Sequence, residues 1–308
     1  MKVINAGSEL NIPFLNDIRN SVTHLAISTT PAMGATSNRL HVTERLDLNV
    51  DNIDISLAIT HRPGRLCPVL FLHGFGSTKE DYTDFLLKKS FDGHAFVAYD
   101  APGCGQSTIT EHKQLSIPFL VKTAEALLDY LRIDRFHLVG HSMGALTGLE
   151  LSHKHPARVL SFTNIKGNLS PEDCFLSRQI FDYPTSDDKL FFQDFIHRTF
   201  NATFFGSAMY ATSLQLKARA ESVRPIFSSM VKLSDAGDLL DKFLALPCPK
   251  IFMFGEQYDA LSYLKKLGES GVTLARIEDC GHFPMYSNPP LMWRYILRAI
   301  TEGEEACR

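Results

Sequence analysis

A serine between two glycines is the residue of this chain whose setting most directly suggests chemistry. Ser142 is the centre of Gly-His-Ser-Met-Gly, residues 140–144, which follows the apolar run 136–139 and precedes a helical pattern at 145–155. A G-x-S-x-G sequence between a strand and a helix is typical of a sharp turn that exposes a nucleophilic serine. The glycines have a steric reason, because the turn strains the backbone and brings neighbouring side chains into collision. We therefore predict that Ser142 is a nucleophile.

Two further motifs follow predicted strands. The apolar run 68–72 leads into His-Gly-Phe-Gly, residues 73–76, and the run 95–99 leads into Asp-Ala-Pro-Gly-Cys-Gly-Gln-Ser, residues 100–107. Continuous apolar runs of this length predict strands that are buried on both faces of a sheet. Each motif therefore begins at the carboxyl end of a strand.

With these motifs the chain resembles the α/β-hydrolase superfamily over nearly its whole length. The resemblance implies an α/β fold with a mostly parallel eight-stranded sheet, flanked by helices, and a helical cap inserted after strand 6. It implies that the backbone N–H groups of Phe75 and Met143 form the oxyanion hole for a tetrahedral intermediate. The role implied for residues 100–107 is architectural, since this turn resembles one found in capped members.

The resemblance also implies a catalytic histidine in Cys-Gly-His-Phe-Pro, residues 280–284. Among the 12 histidines, only His282 lies after the last predicted strand, 272–277, and shortly before a closing helix. The start of that helix is indicated by Asn288, a residue suited to the N-cap, with two prolines behind it. His282 is the predicted general base.

The acid of a Ser-His-acid triad is less clearly placed. In the superfamily it usually follows the strand after the cap, here 250–254, which makes Asp259 the predicted acid in the chain order Ser142, Asp259, His282. The usual aspartate comes three residues after a glycine, a place that Tyr258 occupies, so Asp259 lies one residue further on. The carboxylates that remain as alternatives are Glu256, Glu172 and Asp173. The chemistry requires a carboxylate because it fixes the imidazole tautomer and stabilises the imidazolium.

The composition fits an ordinary globular protein. A length of 308 residues accommodates one α/β core and an insertion, and 44% hydrophobic with 21% charged residues is typical of soluble domains. A net charge of -3 provides no basic surface for nucleic acid. With no apolar run of about 18 residues and no apolar core in the amino terminus, we expect a soluble, cytoplasmic protein without a membrane span. The oligomeric state stays open.

No pattern in the sequence predicts a metal or a cofactor. The six cysteines form no C-x-x-C pair and no zinc-type spacing with histidine, and we expect reduced thiols at Cys67, Cys104, Cys174, Cys248, Cys280 and Cys307. The glycines in 102–105 do not open a dinucleotide-type G-x-G-x-x-G.

The predicted domains are an N-terminal arm, a core and a cap. Alternating patterns at 41–50 and 53–60, joined by Asp51-Asn52, predict two antiparallel edge strands, after which strands and helices alternate. That alternation stops near residue 168 in a stretch that is helical in pattern and rich in aromatic residues. The predicted boundaries are 1–38 for the arm, 39–167 with 235–308 for the core, and 168–234 for the cap.

These features together predict a serine hydrolase that cleaves a carboxylic ester or lactone of moderate size through an acyl-enzyme on Ser142. A serine at the turn argues against dehalogenase and epoxide-hydrolase chemistry, which need a carboxylate nucleophile. The motifs leave open carbon–carbon bond hydrolases, thioesterases and amidases. A protein of another class, a receptor that binds a ligand with the same fold, also stays open.

Overall fold

A sheet of nine strands carries the fold within residues 41–203 and 205–306, which the computed structural model describes. The predicted arm, residues 1–38, lies outside these residues. The strands are β1 Val42–Val50, β2 Ile53–Arg62, β3 Leu66–Leu72, β4 His94–Tyr99, β5 Thr108–Ile109, β6 Phe136–His141, β7 Val159–Ile165, β8 Lys250–Gly255 and β9 Thr273–Ile277. Their order is β1-β2-β4-β3-β6-β7-β8-β9, and β5 pairs with β2.

The sheet is parallel from β4 to β9 along this order and antiparallel at the β1 edge. The predicted turn between β1 and β2 is formed by Asp51 and Asn52, whose φ values of 53° and 63° match the two-residue turns that suit the twist of a hairpin. The family resemblance implies eight strands. The additional one, β5, is only two residues long, too short to leave a recognisable pattern.

Helices cover both faces of the parallel strands, which explains why these strands are mainly apolar and largely buried. The helices are α1 Ile117–Tyr130, α2 Met143–Lys154, α3 Gln179–Asp182, α4 Asp188–Phe200, α5 Ser207–Lys217, α6 Ala220–Asp235, α7 Leu239–Ala245, α8 Leu264–Glu269, α9 Pro284–Ser287 and α10 Pro289–Glu305. Short 3-10 turns occur at Lys79–Leu87, Lys89–Phe91, His112–Gln114, Pro171–Phe175 and Glu256–Tyr258.

The last helix begins as its sequence predicts. The Asn288 side chain accepts a hydrogen bond from the backbone N–H of Leu291, 3.4 Å away, and two prolines occupy the first turn of α10, where no N–H partner is needed. A capped helix therefore begins shortly after the loop that carries His282.

The segment between β7 and β8 is helical, from α3 to α7. Its aromatic side chains pack mainly on one another: the ring centroids of Phe191 and Phe195 lie 6.0 Å apart, and those of Phe195 and Phe227 lie 5.6 Å apart. Phe227 also contacts Phe75 in the loop after β3, at 4.9 Å. These helices therefore form a small aromatic cluster of their own, which contacts the loop after β3.

Within the part of the chain that the structure describes, no helix combines the length and apolar character needed to cross a bilayer.

Candidate active site

Ser142 occupies a strained turn between β6 and α2. Its φ of 51° and ψ of -117° lie in a region that residues with a side chain rarely adopt. The flanking glycines are needed for space: a Cβ at Gly140 would come within 2.6 Å of the Cα of Ala145, and one at Gly144 within 2.2 Å of the carbonyl oxygen of Leu72. Such strain persists only where surrounding structure enforces it, so the turn has the form of a nucleophile elbow.

The resemblance implies two oxyanion donors, the backbone N–H groups of Phe75 and Met143. Met143 opens α2, so its N–H is one of the helix donors without an intrahelical acceptor. The loop that carries Phe75 passes close by, because a Cβ at Gly74 would lie 3.2 Å from the Cβ of Ser142. The carbonyl of Phe75 accepts a hydrogen bond from the hydroxyl of Tyr210, 2.8 Å away, which fixes the orientation of the loop.

The turn after β4 joins the loops around the site. The buried carboxylate of Asp100 accepts hydrogen bonds from the backbone N–H and the ammonium of Lys79 and from the backbone N–H of Gln106, each at 2.9 Å. The ring Nε2 of His73 accepts from the backbone N–H of Ala101 at 2.8 Å. These contacts hold the loop after β3 against the turn after β4, which agrees with an architectural role.

Ser142 and His282 line one cavity of about 420 Å³. In the described residues their side chains form no direct hydrogen bond, a common situation in sites without substrate. Most of the remaining wall is apolar, and the polar side chains besides these two are Asn168, Asp173, Ser177 and Tyr210. A second cavity of about 620 Å³ shares Phe175, Leu176, Tyr210, His282 and Phe283 with the first and extends to Arg198 and Ser207.

The His282 side chain is buried, and its surroundings favour the neutral imidazole. Burial lowers the pKa of its imidazole well below the usual value, and the nearby His141 ring and Lys166 ammonium lower it further. His141 Nε2 lies 2.8 Å from the His282 carbonyl oxygen and donates to it. The Nδ1 of His282 is buried and has no hydrogen-bond partner among the described residues. In a Ser-His-acid triad, this is the nitrogen that donates to the carboxylate.

Asp259, the predicted acid, does not reach His282. Its carboxylate instead forms a bidentate ion pair with the guanidinium of Arg276, with N–O distances from 2.8 to 3.1 Å, and half of the side chain is exposed. The cause is the 3-10 turn Glu256–Tyr258. This turn directs Tyr258 toward the site, with its ring centroid 6.1 Å from that of His282, and leaves Asp259 at the surface.

Two of the alternative carboxylates are also engaged elsewhere. Glu256 lies 3.5 Å from the guanidinium of Arg276. Glu172 accepts hydrogen bonds from the backbone N–H and the hydroxyl of Ser262, at 3.2 and 2.6 Å. Neither forms a hydrogen bond with His282 in the described part of the chain.

Asp173, the remaining alternative, belongs to a buried ion pair with Lys166. Both side chains are about 1% exposed, and Asp173 also accepts hydrogen bonds from the hydroxyl of Tyr263 and from two backbone N–H groups. Lys166 directly follows β7, and its ammonium lies 4.7 Å from the ring centroid of Tyr258. The position directly after this strand thus holds a cation.

A family model described as "alpha/beta hydrolase fold" matches residues 68–236, more than half of the chain. The chain belongs to this family. The match confirms the predicted fold class and, together with relatives that are named as hydrolases, supports an enzyme. The protein named "Putative carbamate hydrolase RutD" of Variovorax paradoxus is 32% identical over 122 residues, which cover 38% of this chain and 46% of that relative. The chain thus spans less than half the length of the first curated relatives that it matches.

Solved structures support the same fold. A carboxylesterase from the thaumarchaeon Nitrososphaera gargenis has a TM-score of 0.67 at 16% identity, covering 85% of this chain and 100% of that one. The N-acyl homoserine lactonase AidH, complexed with N-hexanoyl homoserine, has a TM-score of 0.64 at 18% identity, covering 84% of this chain and 96% of that one. At such identities the likeness concerns the fold alone.

Proposed function

We propose that this protein is a serine hydrolase that cleaves a carboxylic ester or lactone of moderate size through an acyl-enzyme on Ser142. The observation that carries the proposal is the strained backbone of Ser142, with φ 51°, beneath a cavity that His282 also lines. The mostly apolar wall of this cavity favours an uncharged substrate with an apolar acyl or alcohol part. Relatives that are named as hydrolases support hydrolase chemistry in general.

The mechanism follows from the chemistry of these groups. The hydroxyl of Ser142 transfers its proton to Nε2 of His282 while its oxygen attacks the substrate carbonyl. The backbone N–H groups of Phe75 and Met143 stabilise the oxyanion. His282 then gives the proton to the leaving alcohol, and an acyl-enzyme remains. A water molecule deprotonated by His282 releases the acid and restores Ser142.

We further propose that Ser142 and His282 work as a dyad without a carboxylate. Asp259 is not included in the mechanism, because its carboxylate is held by Arg276. The imidazolium that forms in each step would have no carboxylate bonded to its Nδ1 among the described residues, and the nearby Lys166, although it pairs with Asp173, disfavours its positive charge. Removing the function of the acid in a triad lowers kcat by about 10⁴. We therefore expect slow turnover compared with enzymes that have a complete triad.

A panel of p-nitrophenyl esters of graded acyl length, extended with aromatic lactones, tests the proposal together with a fluorophosphonate probe. The wild-type chain should hydrolyse at least one ester and be labelled on Ser142. Ser142→Ala should abolish labelling. Its residual rate should exceed that of the uncatalysed reaction in water by at most about 10³–10⁴-fold, which is the acceleration that binding and the oxyanion hole provide. Ser177→Ala, which changes another serine of the same cavity, serves as the control and should keep labelling. Unchanged turnover in Ser142→Ala would refute the assignment.

One observation favours a second candidate, a receptor-like protein that binds a ligand. The unpartnered Nδ1 of His282 and the nearby Lys166 are unfavourable for proton transfer but are compatible with an acceptor group on a bound molecule. Labelling of Ser142 without turnover of any ester or lactone, combined with ligand-dependent thermal stabilisation, would support this candidate over the hydrolase.

A further inference from the structure

Two histidines and a glutamate converge at the end of the sheet that lies opposite Ser142. His94 is the first residue of β4, His137 is the second residue of β6, and Glu304 lies in the last turn of α10. One ligand atom of each residue lies within 4.8 Å of the others. The two histidine side chains are buried, whereas Glu304 is partly exposed.

The hydrogen bonds of the two rings leave their Nε2 atoms available. His94 Nδ1 lies 2.9 Å from the carbonyl oxygen of Cys67, which can only accept, so Nδ1 carries the proton and Nε2 carries the lone pair. His137 Nδ1 lies 2.9 Å from the hydroxyl of Ser161. Its Nε2 is buried and has no hydrogen-bond partner among the described residues. A buried nitrogen without a partner is costly, and a ligand would remove that cost.

We propose that His94, His137 and Glu304 bind a divalent transition metal ion, with zinc as the best fit. Two imidazole nitrogens and a carboxylate oxygen are a ligand set that zinc accepts, and water can complete a tetrahedron through the partly exposed side of Glu304. The outer hydrogen bonds from Nδ1 to a carbonyl and to a hydroxyl are those that orient metal-binding histidines. His94 Nε2 and Glu304 Oε1, now 3.7 Å apart, need only small rotations to share an ion.

The role of such an ion is structural. It would join the end of α10 to the first residues of β4 and β6, where α10 already packs closely: a Cβ at Gly303 would lie 3.0 Å from Cε1 of His137. One charge opposes binding, because Arg135 is near enough to His137 to disfavour a positive charge there. We therefore expect a reversible site rather than a permanently loaded one.

The test uses the full chain, stripped of metal with a chelator that is then removed. Zinc is titrated in competition with a chromophoric chelator, and cobalt is titrated separately while its ligand-field absorption is recorded. We expect one ion per chain, a tetrahedral cobalt spectrum and a higher unfolding temperature with metal. Loss of an outer hydrogen-bond partner typically weakens metal binding about 10–100-fold, so loss of a ligand in His94→Gln or Glu304→Gln should cost at least as much.

Two control variants match these in chemistry. Glu302→Gln removes a carboxylate from the same helix end, and His61→Gln removes an imidazole that pairs with Glu44 at the surface. Both should bind zinc as the wild type does. If His94→Gln fails to fold, Glu304→Gln at the partly exposed side of the site still tests the proposal. The proposal is overturned if the wild type binds less than one ion per chain, or if Glu304→Gln binds as tightly as Glu302→Gln.

Discussion

Tyr258→Asp should make this protein a faster hydrolase. Tyr258 is the third residue after Gly255, the position at which the family usually carries its acid, and its ring centroid lies 6.1 Å from that of His282. A carboxylate in this place would come close to the imidazole, whose Nδ1 has no hydrogen-bond partner among the described residues. It would favour the productive tautomer and stabilise the imidazolium.

The size of the gain follows from the distances. Opposite unit charges about 6 Å apart attract by about 2.8 kcal/mol at an effective dielectric constant of about 20, which is about 100-fold in rate at about 1.36 kcal/mol per decade. Lys166, whose ammonium lies 4.7 Å from the ring centroid of Tyr258, would compete for the new carboxylate and also offset the cost of burying it. We therefore expect kcat to rise by between about 10-fold and about 100-fold.

The assay is steady-state hydrolysis of the best p-nitrophenyl ester as a function of pH. Tyr258→Asn is the matched control, because asparagine has nearly the size of aspartate but carries no charge. This variant should show no gain in kcat. In Tyr258→Asp the acid limb of kcat/KM should move to higher pH, because the carboxylate raises the pKa of His282. Thermal unfolding identifies variants that do not fold. A folded Tyr258→Asp enzyme that is no faster than Tyr258→Asn would refute the idea that a missing carboxylate limits turnover.

Three further predictions concern neighbouring groups. Asp259→Asn should leave kcat close to that of the wild type and change the free energy of unfolding by at most about 1 kcal/mol, because the carboxylate belongs to an exposed ion pair; a large loss of kcat would restore Asp259 as the acid. In the wild type, kcat/KM should stay constant as the pH falls through about 6.5, since a lowered pKa keeps His282 neutral there; a pH–rate profile checks this, and an acid limb at the ordinary histidine pKa would contradict it. Burial lowers the pKa of His141 to about 4. Because the unfolded chain binds this proton near pH 6.5 and the folded chain does not, the free energy of unfolding should fall by about 2 kcal/mol between pH 7 and pH 5 on account of His141. Urea unfolding at both pH values measures the loss, and His141→Asn should reduce it by that amount.

The sequence was most informative where function depends on local backbone geometry. The elbow around Ser142 needs small residues two positions away on either side, and the structure shows the backbone atoms that a Cβ at Gly140 or Gly144 would meet. The hairpin turn at Asp51 and Asn52 is likewise a local property, and the apolar runs of the parallel strands follow from burial on both faces. Such features can be read from a few consecutive residues.

The partners of charged side chains could not be read in this way. Asp259 stands one residue beyond the usual place, and only the three-dimensional structure reveals that Arg276, on the neighbouring strand β9, takes its carboxylate. The contact between Lys166 and Asp173 depends on how the chain turns after β7. The cluster of His94, His137 and Glu304 spans more than 200 residues and has no motif. Contacts between polar side chains that lie far apart in the sequence are therefore the features that the sequence did not predict.

The helices above the site also hold the loop below them. Phe75, whose amide is one of the two proposed oxyanion donors, makes two contacts with these helices. The hydroxyl of Tyr210 in α5 donates a hydrogen bond to its carbonyl oxygen, and the ring of Phe227 in α6 packs on its ring. If α5 and α6 moved away to admit substrate, both contacts would be lost and the proposed oxyanion loop would lose its support. Replacing these helices with those of a relative should therefore affect catalysis as well as substrate binding, because the new helices must also provide both contacts with this loop.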